Sequence, residues 1–453
     1  MPHDDSFGER LKRRRFMRIA GAAGAAGLAG CVEGLQEGGD GDSDSGGDDG
    51  GTTDTGTGTG TGSDSGDDGG GGSSETVDIG VAIPFSGDLS DFGSPMQNGF
   101  EMAMEDINAA GGPNGREVEL HFEDTNSAST QGVNAANKLV DTTSVNALFG
   151  AVSSGVTISI AQSVTIPGEI LHTTPASSSP VISTLDDNDY VWRTRTNDRF
   201  VARVMSMIAE NESAETAAVL YVNNDFGSAL ADVFEESFEG EVTATVGYES
   251  GESSYQQSLS TLFEDDPEYV ALAGYPESGT TILSQWYEGG YGGNWILHTS
   301  LLSDEVINNV GAEVMNGMYG VRTKPPSGGA TESFVSDYED AYPDTQLFSP
   351  YSWNSYDALM SWALAADAAG SVESSDVVET LREVSNPPGE EVSYGEFESG
   401  VDFLDDGSEV DYSGPSGAVD YDDNGDVASD VVVVSVEDGE FVDQETIPAE
   451  DLV

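Results

Sequence analysis

The chain has 453 residues, with 83 acidic and 15 basic side chains and a formal net charge of −68. No basic stripe is present to displace counterions from a phosphate backbone, so nucleic acid is excluded as a partner. The single cysteine, Cys31, excludes any disulfide within the chain.

The first thirty residues address the compartment. Arg13, Arg14, Arg15, Phe16, Met17 and Arg18 precede small apolar residues from Ile19 to Gly30, a pattern that predicts a Tat-type export signal over residues 1–30. The apolar run is about a dozen residues, short of the roughly twenty that a membrane-crossing helix needs. Leu28-Ala29-Gly30-Cys31 resembles the lipobox of bacterial and archaeal lipoproteins, which implies lipid on Cys31 and anchoring at the outer face of the cell membrane. Residues 31–75 are almost wholly Gly, Asp, Ser, Thr and Glu. Such a segment has too little apolar surface to order itself and is expected to act as a self-repelling tether.

Six bases and three acids lie in the signal, leaving 9 bases against 80 acids in the rest of the chain. A surface so acidic repels itself at ordinary ionic strength, whereas at about 1 M salt the Debye length falls to roughly 3 Å. Because the acids are spread through every segment, the composition reads as adaptation to brine rather than as a calcium or partner site.

From Val77 the body alternates strands and helices. The aliphatic run Val77 to Ile83 predicts a buried strand, and Met96, Phe100, Ala103, Met104 and Ile107 give a helix over about 94–110 its apolar stripe. Strand 118–123, helix 129–141, strand 146–150, helix 155–166 and strand 169–173 follow. A second series runs helix 198–211, strand 217–222, helix 227–238, strand 242–247, helix 255–264, strand 269–273, helix 277–289 and strand 295–299. Repeated βα units predict parallel sheets covered by helices on both faces, and two series predict two lobes. The fold class is therefore α/β, two Rossmann-like doubly wound lobes.

Doubly wound lobes bind ligands at the carboxyl ends of their strands, which directs attention to the loops just after them. Those loops hold Ser86, Gly87 and Phe92; Ser153, Ser154 and Gly155; Ser177, Ser178 and Ser179; Asp225 and Phe226; Tyr275; and Thr299 with Ser300. Any one of them has a plainer reading, a serine as a helix cap or an aromatic ring as core, and their shared position is what points to a cleft.

Ile79 to Ile83 with Pro84, Phe85, Ser86 and Gly87, then Gly99, Ala103, Ile107, Asn108, Gly111, Gly112, Asn114 and Gly115, is similar to the opening of the leucine/isoleucine/valine-binding family. The similarity extends through Gly150 to Ser154, Pro175 to Pro180, Asp225-Phe226-Gly227, Gly274-Tyr275 and the segment Gly414 to Phe441. It implies the type I periplasmic binding protein fold, two lobes joined by a three-crossover hinge that closes on ligand. Lobe 1 is expected over 76–197 and 323–412, lobe 2 over 198–322 and 413–453.

The resemblance also implies roles. Ser154 and Ser178 would hold a ligand carboxylate, Ala176 or Ser177 would offer backbone groups, Phe92 and Phe226 would form aromatic walls, and Tyr275 would face the ligand from lobe 2. Family members that bind α-amino acids place a Glu after the last strand, and Thr299 stands there in this chain. Glu277 or Asp225 would have to supply the missing charge, so a carboxylate or amide ligand is favoured over a branched-chain amino acid. The implied function is capture of that ligand for the permease subunits of an ABC importer; the alternative is a ligand-binding subunit feeding a signalling or chemotaxis receptor.

An enzyme is not expected. The chain has no G-x-S-x-G elbow, H-E-x-x-H motif or P-loop. His121, His172 and His298 fall on or at the end of strands, with His298 near enough to the cleft to touch ligand. Asp420, Asp422, Asn424 and Gly425 imitate half of a calcium loop, but its twelfth position is Val431, so a hairpin turn is expected there and no metal or cofactor. Asn211-Glu212-Ser213 is a sequon for a surface glycan.

Overall fold

The computed structural model describes residues 76–324, 328–347 and 350–452. The expected signal, tether and Cys31 lie outside them.

The first series folds as β1 (Val77–Ile83), α1 (Gly93–Ala109), β2 (Val118–Asp124), α2 (Ser129–Lys138), β3 (Ala147–Gly150), α3 (Ser154–Ile160), β4 (Leu171–Thr174) and β5 (Val191–Arg193). These strands form a parallel sheet in the order β2-β1-β3-β4-β5. The apolar stripe of α1 explains its seat: Met96, Phe100, Ala103 and Ile107 are fully buried, and the Phe100 ring meets Phe149 of β3 edge-on at 5.7 Å.

The second series is α4 (Asp198–Asn211), β6 (Thr216–Val222), α5 (Asp225–Ser237), β7 (Glu241–Tyr248), α6 (Gln256–Leu262), β8 (Tyr269–Ala273), α7 (Pro276–Gly289), β9 (Asn294–Leu297), α8 (Asp304–Val310), α9 (Ala312–Met315) and β10 (Tyr319–Thr323). Its parallel strands repeat the first order, β7-β6-β8-β9-β10. The C-terminal hairpin extends the β10 edge.

Beyond β10 the chain returns to the first lobe with α10 (Ala330–Ala341), α11 (Tyr351–Ala369), α12 (Ser374–Ser385), β11 (Glu390–Val392), α13 (Phe397–Asp405), β12 (Val410–Gly414) and β13 (Gly417–Ala418). Helix α11 lies so close along α1 that a Cβ on Gly99 would stand 2.1 Å from the Ser352 carbonyl oxygen, a contact only glycine permits. The last strands, β14 (Val431–Glu437) and β15 (Glu440–Ile447), pair antiparallel, so the second sheet is mixed rather than wholly parallel. Asp438 and Gly439, both at positive φ, make their turn.

Among the described residues the chain passes between the lobes at 194–197, at Lys324 and at 427–430. The third lies later than the expected boundary at 412/413. Tyr412 donates to Asp357 of α11, and Tyr421 packs edge-on against Trp192 at 4.9 Å, so both remain with the first lobe. The Asp-Asn-Gly segment is a tight turn, but the hairpin expected there does not form. Asp422 Oδ1 accepts the Asn424 and Asp426 amides, and the chain then runs beside Arg193 before joining the second sheet at Val431.

Candidate functional site

In both sheets strand order reverses beside the first strand of the series, β1 or β6, which opens a crevice at the carboxyl ends of the strands. The two crevices face one cavity of about 330 Å³. Its first-lobe wall is Leu89 and Phe92 after β1, Val152 and Ser154 after β3, Ala176 and Ser178 after β4, and Tyr351 at the start of α11. The second-lobe wall is Phe226 after β6, Tyr275 after β8, and His298 with Ser300 after β9. None of these residues is more than 8% exposed. The lobes meet across its mouth: Ser250 donates to Asp88 at 2.5 Å, and Ser179 to the Asp225 carbonyl at 2.7 Å.

The walls are aromatic. Phe92 and Tyr351 meet edge-on at 4.9 Å, Phe226 stacks on Tyr275 at 5.8 Å, and His298 abuts Phe226 at 4.8 Å. Asn224 explains the Phe226 and Tyr275 placement: its Oδ1 caps α5 by accepting the Phe226 and Gly227 amides, and its Nδ2 donates to Tyr275 Oη at 2.9 Å. Burial raises the Tyr275 phenol above its ordinary pKa, so it stays a neutral hydrogen-bonding group.

The polar groups are few. Ser154 Oγ accepts the Ser179 amide at 3.2 Å, a role that leaves its own hydrogen to donate. Ser178 Oγ donates to Asp198 Oδ2 at 2.5 Å, so toward the cavity it offers lone pairs. His298 Nδ1 lies 3.2 Å from the Ser300 amide nitrogen and 2.8 Å from its hydroxyl, and Nε2 lies 3.2 Å from Asp198 Oδ1. Asp198 is fully buried. Burial alone would raise its pKa, but His298, Arg195 and the Ser178 hydroxyl together hold it below the usual carboxylate range. A negative charge therefore stands one side chain behind the cavity wall.

Six of the eight residues singled out in the sequence come together here: Phe92, Ser154, Ala176, Ser178, Phe226 and Tyr275. Ser177 and Thr299 do not. Ser177 Oγ lies within hydrogen-bond reach of Thr157 Oγ1 and the Ala151 and Val152 carbonyls, and its amide donates to Thr174 Oγ1. The Ala176 amide turns to the same Thr174 oxygen at 3.3 Å. Thr299 donates to the Val321 carbonyl and lines a separate cavity with Arg322 and Phe441, while Ser300 takes the inward position. Asp225 and Glu277 are exposed and line neither wall. Leu89, Val152, Tyr351 and Asp198 were missed. Leu89 and Val152 follow strands and could have been found by that rule; Tyr351 and Asp198 carry no local signal.

Among the described residues one group could hold a metal, Asp78, Glu119 and His121. It lies on β1 and β2, well before their carboxyl ends, and His121 Nε2 is 2.7 Å from Asp78 Oδ1. No helix of the described residues is long and apolar enough to cross a membrane.

Comparison with known proteins adds the following. A family model described as periplasmic binding protein matches residues 76–440. The chemotactic signal transduction system substrate-binding protein BasB of Halobacterium salinarum is 30% identical over 356 residues, covering 77% of this chain and 84% of that one. The Leu/Ile/Val-binding protein homolog 1 of Brucella suis is 27% identical over 322 residues, 69% of this chain and 84% of its own length. Among solved structures, the leucine binding protein LivK of Thermotoga maritima superposes with a TM-score of 0.71 at 26% identity, over 83% of this chain and 100% of that chain.

Proposed function

The chain belongs to the periplasmic binding protein family, and from that premise we propose that it is an extracytoplasmic solute-binding lipoprotein of an ABC importer. In this reading it is held outside the membrane by lipid on Cys31 and captures an amino-acid-like, amide or carboxylate ligand. One observation carries it: loops from both sheets converge on a single cavity with aromatic walls and a few hydroxyls, lined throughout by buried residues.

The ligand class follows from the lining. Among the described residues no carboxylate lines the cavity, so a ligand ammonium would have Asp198 only at one remove, through Ser178 and His298. A ligand carboxylate or amide oxygen fits the Ser154 hydroxyl, and an amide N–H fits the lone pairs of Ser178. The apolar part of the ligand would lie between Phe92, Phe226 and Tyr275. Enzymatic turnover is not part of this reading.

Calorimetry in strong salt against leucine, isoleucine, valine, their amides and simple carboxylates tests it, guided by mass spectrometry of whatever co-purifies. Ser154→Ala is expected to weaken binding by about 1–3 kcal/mol, the cost of leaving a buried oxygen without its donor. Unchanged affinity would remove Ser154 from the site, and failure of every small solute to bind would end the proposal. The likeness to BasB favours one second reading, a ligand-binding subunit for chemotaxis. Crosslinking in native membranes separates the two, since the importer reading requires permease subunits and the second a transducer.

A further inference from the structure

Of the nine bases that follow residue 30, five lie in two of the crossing regions: Arg193, Arg195, Arg199, Arg322 and Lys324. Three are matched by carboxylates. Arg193 forms a double contact with Asp426, Nε to Oδ1 at 2.6 Å and Nη2 to Oδ2 at 2.7 Å. Arg322 and Lys324 share Asp443 at 2.6 and 3.0 Å. Arg195 differs. It is 1% exposed, and its Nη1 donates to Thr323 Oγ1, yet Nε and Nη2 have no hydrogen-bond partner among the described residues. Asp198 does not fill that role, since its two oxygens face His298 and Ser178.

Arg195 lines a cavity of about 210 Å³ that shares no lining residue with the ligand cavity. Arg195, Thr196, Thr323, Lys324, Ser416 and Ser429 contribute to its wall, which brings all three crossing regions to one point. The Thr196 hydroxyl, 2% exposed, is also without a partner among the described residues. In a chain this acidic, no carboxylate lines the cavity among the described residues. Leaving a buried guanidinium donor unpaired costs more than leaving a neutral one, so these donors call for an acceptor. A cation is excluded by Arg195 itself. The positive, carboxylate-free lining selects an anion over a neutral molecule.

We propose that this hinge cavity binds a small monovalent anion, chloride in brine, through Arg195 Nε and Nη2 and Thr196 Oγ1. Such an ion is held by the first crossing inside a cavity whose wall all three crossing regions share, and it favours the hinge geometry in which those groups converge. This site goes beyond the proposed solute-binding function and does not depend on which solute is bound.

Two measurements on the full chain decide it, neither of which reads the ligand cavity. In crystals grown from sodium bromide, anomalous scattering is expected to place a bromide within hydrogen-bond distance of Arg195 Nε; water at that point would overturn the proposal. In solution, exchanging sodium isethionate for sodium chloride or bromide at matched ionic strength is expected to raise the unfolding midpoint by about 2 °C or more. Arg195→Gln should abolish that difference. Thr196→Val, which keeps the guanidinium, should diminish it and decides the matter if the first variant does not fold. Equal midpoints in the two salts, or variants that keep the full halide response, would overturn the site.

Discussion

His172 sits on β4 with no exposed surface, its Nε2 2.7 Å from the Gly150 carbonyl and its Nδ1 3.2 Å from Thr165 Oγ1. The carbonyl accepts the Nε2 proton and so fixes the tautomer, while burial keeps the ring neutral. Burial lowers its pKa from 6.5 to about 4, against a smaller opposing pull from Gly150. Because the folded value is depressed, the unfolded chain takes up the proton first as pH falls. The contribution is complete above pH 6.5 and disappears progressively toward pH 4, amounting to about 3 kcal/mol at most. Asp357 works in the opposite sense: burial raises it to about 7, so its contribution is lost as pH rises. The comparison that isolates the imidazole is thermal unfolding of His172→Gln and the native chain from pH 7 to pH 4 in strong salt. The variant is expected to lose less of its midpoint over that range, and parallel curves would remove His172 as the source.

At the scale of elements, the first crossing is pinned by the buried Arg193 and Asp426 pair, with Ser183 and Asn197 also donating to the carboxylate. Asp426→Ala leaves a guanidinium uncompensated in the interior and is expected to cost about 3–5 kcal/mol. Chemical denaturation measures it, and a loss below 1 kcal/mol, about the worth of an exposed pair, would show the contact to be dispensable. The regular βα elements were legible because aliphatic runs bounded by Gly and Pro alternate with amphipathic helices from Val77 to Leu297. Helix α11 was not, since it is buried on nearly all faces and carries no apolar stripe to announce its period. The same divide governs the site. Phe226 and Tyr275 stand directly after strands, whereas Tyr351 and Asp198 join them only through the packing of α11 and the first crossing. Thr299 was placed by counting, and the 3₁₀ turn Thr299–Leu301 instead turns Ser300 inward and Thr299 toward β10.

The whole molecule carries far more negative charge than its cations offset, and five of the nine bases after residue 30 lie in the crossing regions. Diluting molar salt to about 0.1 M lengthens the Debye distance from roughly 3 to 10 Å and lets distant carboxylates repel. The unfolding midpoint is therefore expected to fall steadily with sodium chloride and to be only partly restored by an uncharged osmolyte, as followed by circular dichroism. A midpoint indifferent to salt would remove the brine reading of the composition.

The contacts of Ser250 with Asp88 and of Ser179 with Asp225 bear on selectivity. If the proposed solute-binding function holds, a visitor one ring too long would enter while the jaws stand apart, prop them ajar and keep those two latches from engaging. Rejection would then happen at the moment of shutting rather than at the door, and an oversized visitor would become a blocker that occupies the seat without being delivered.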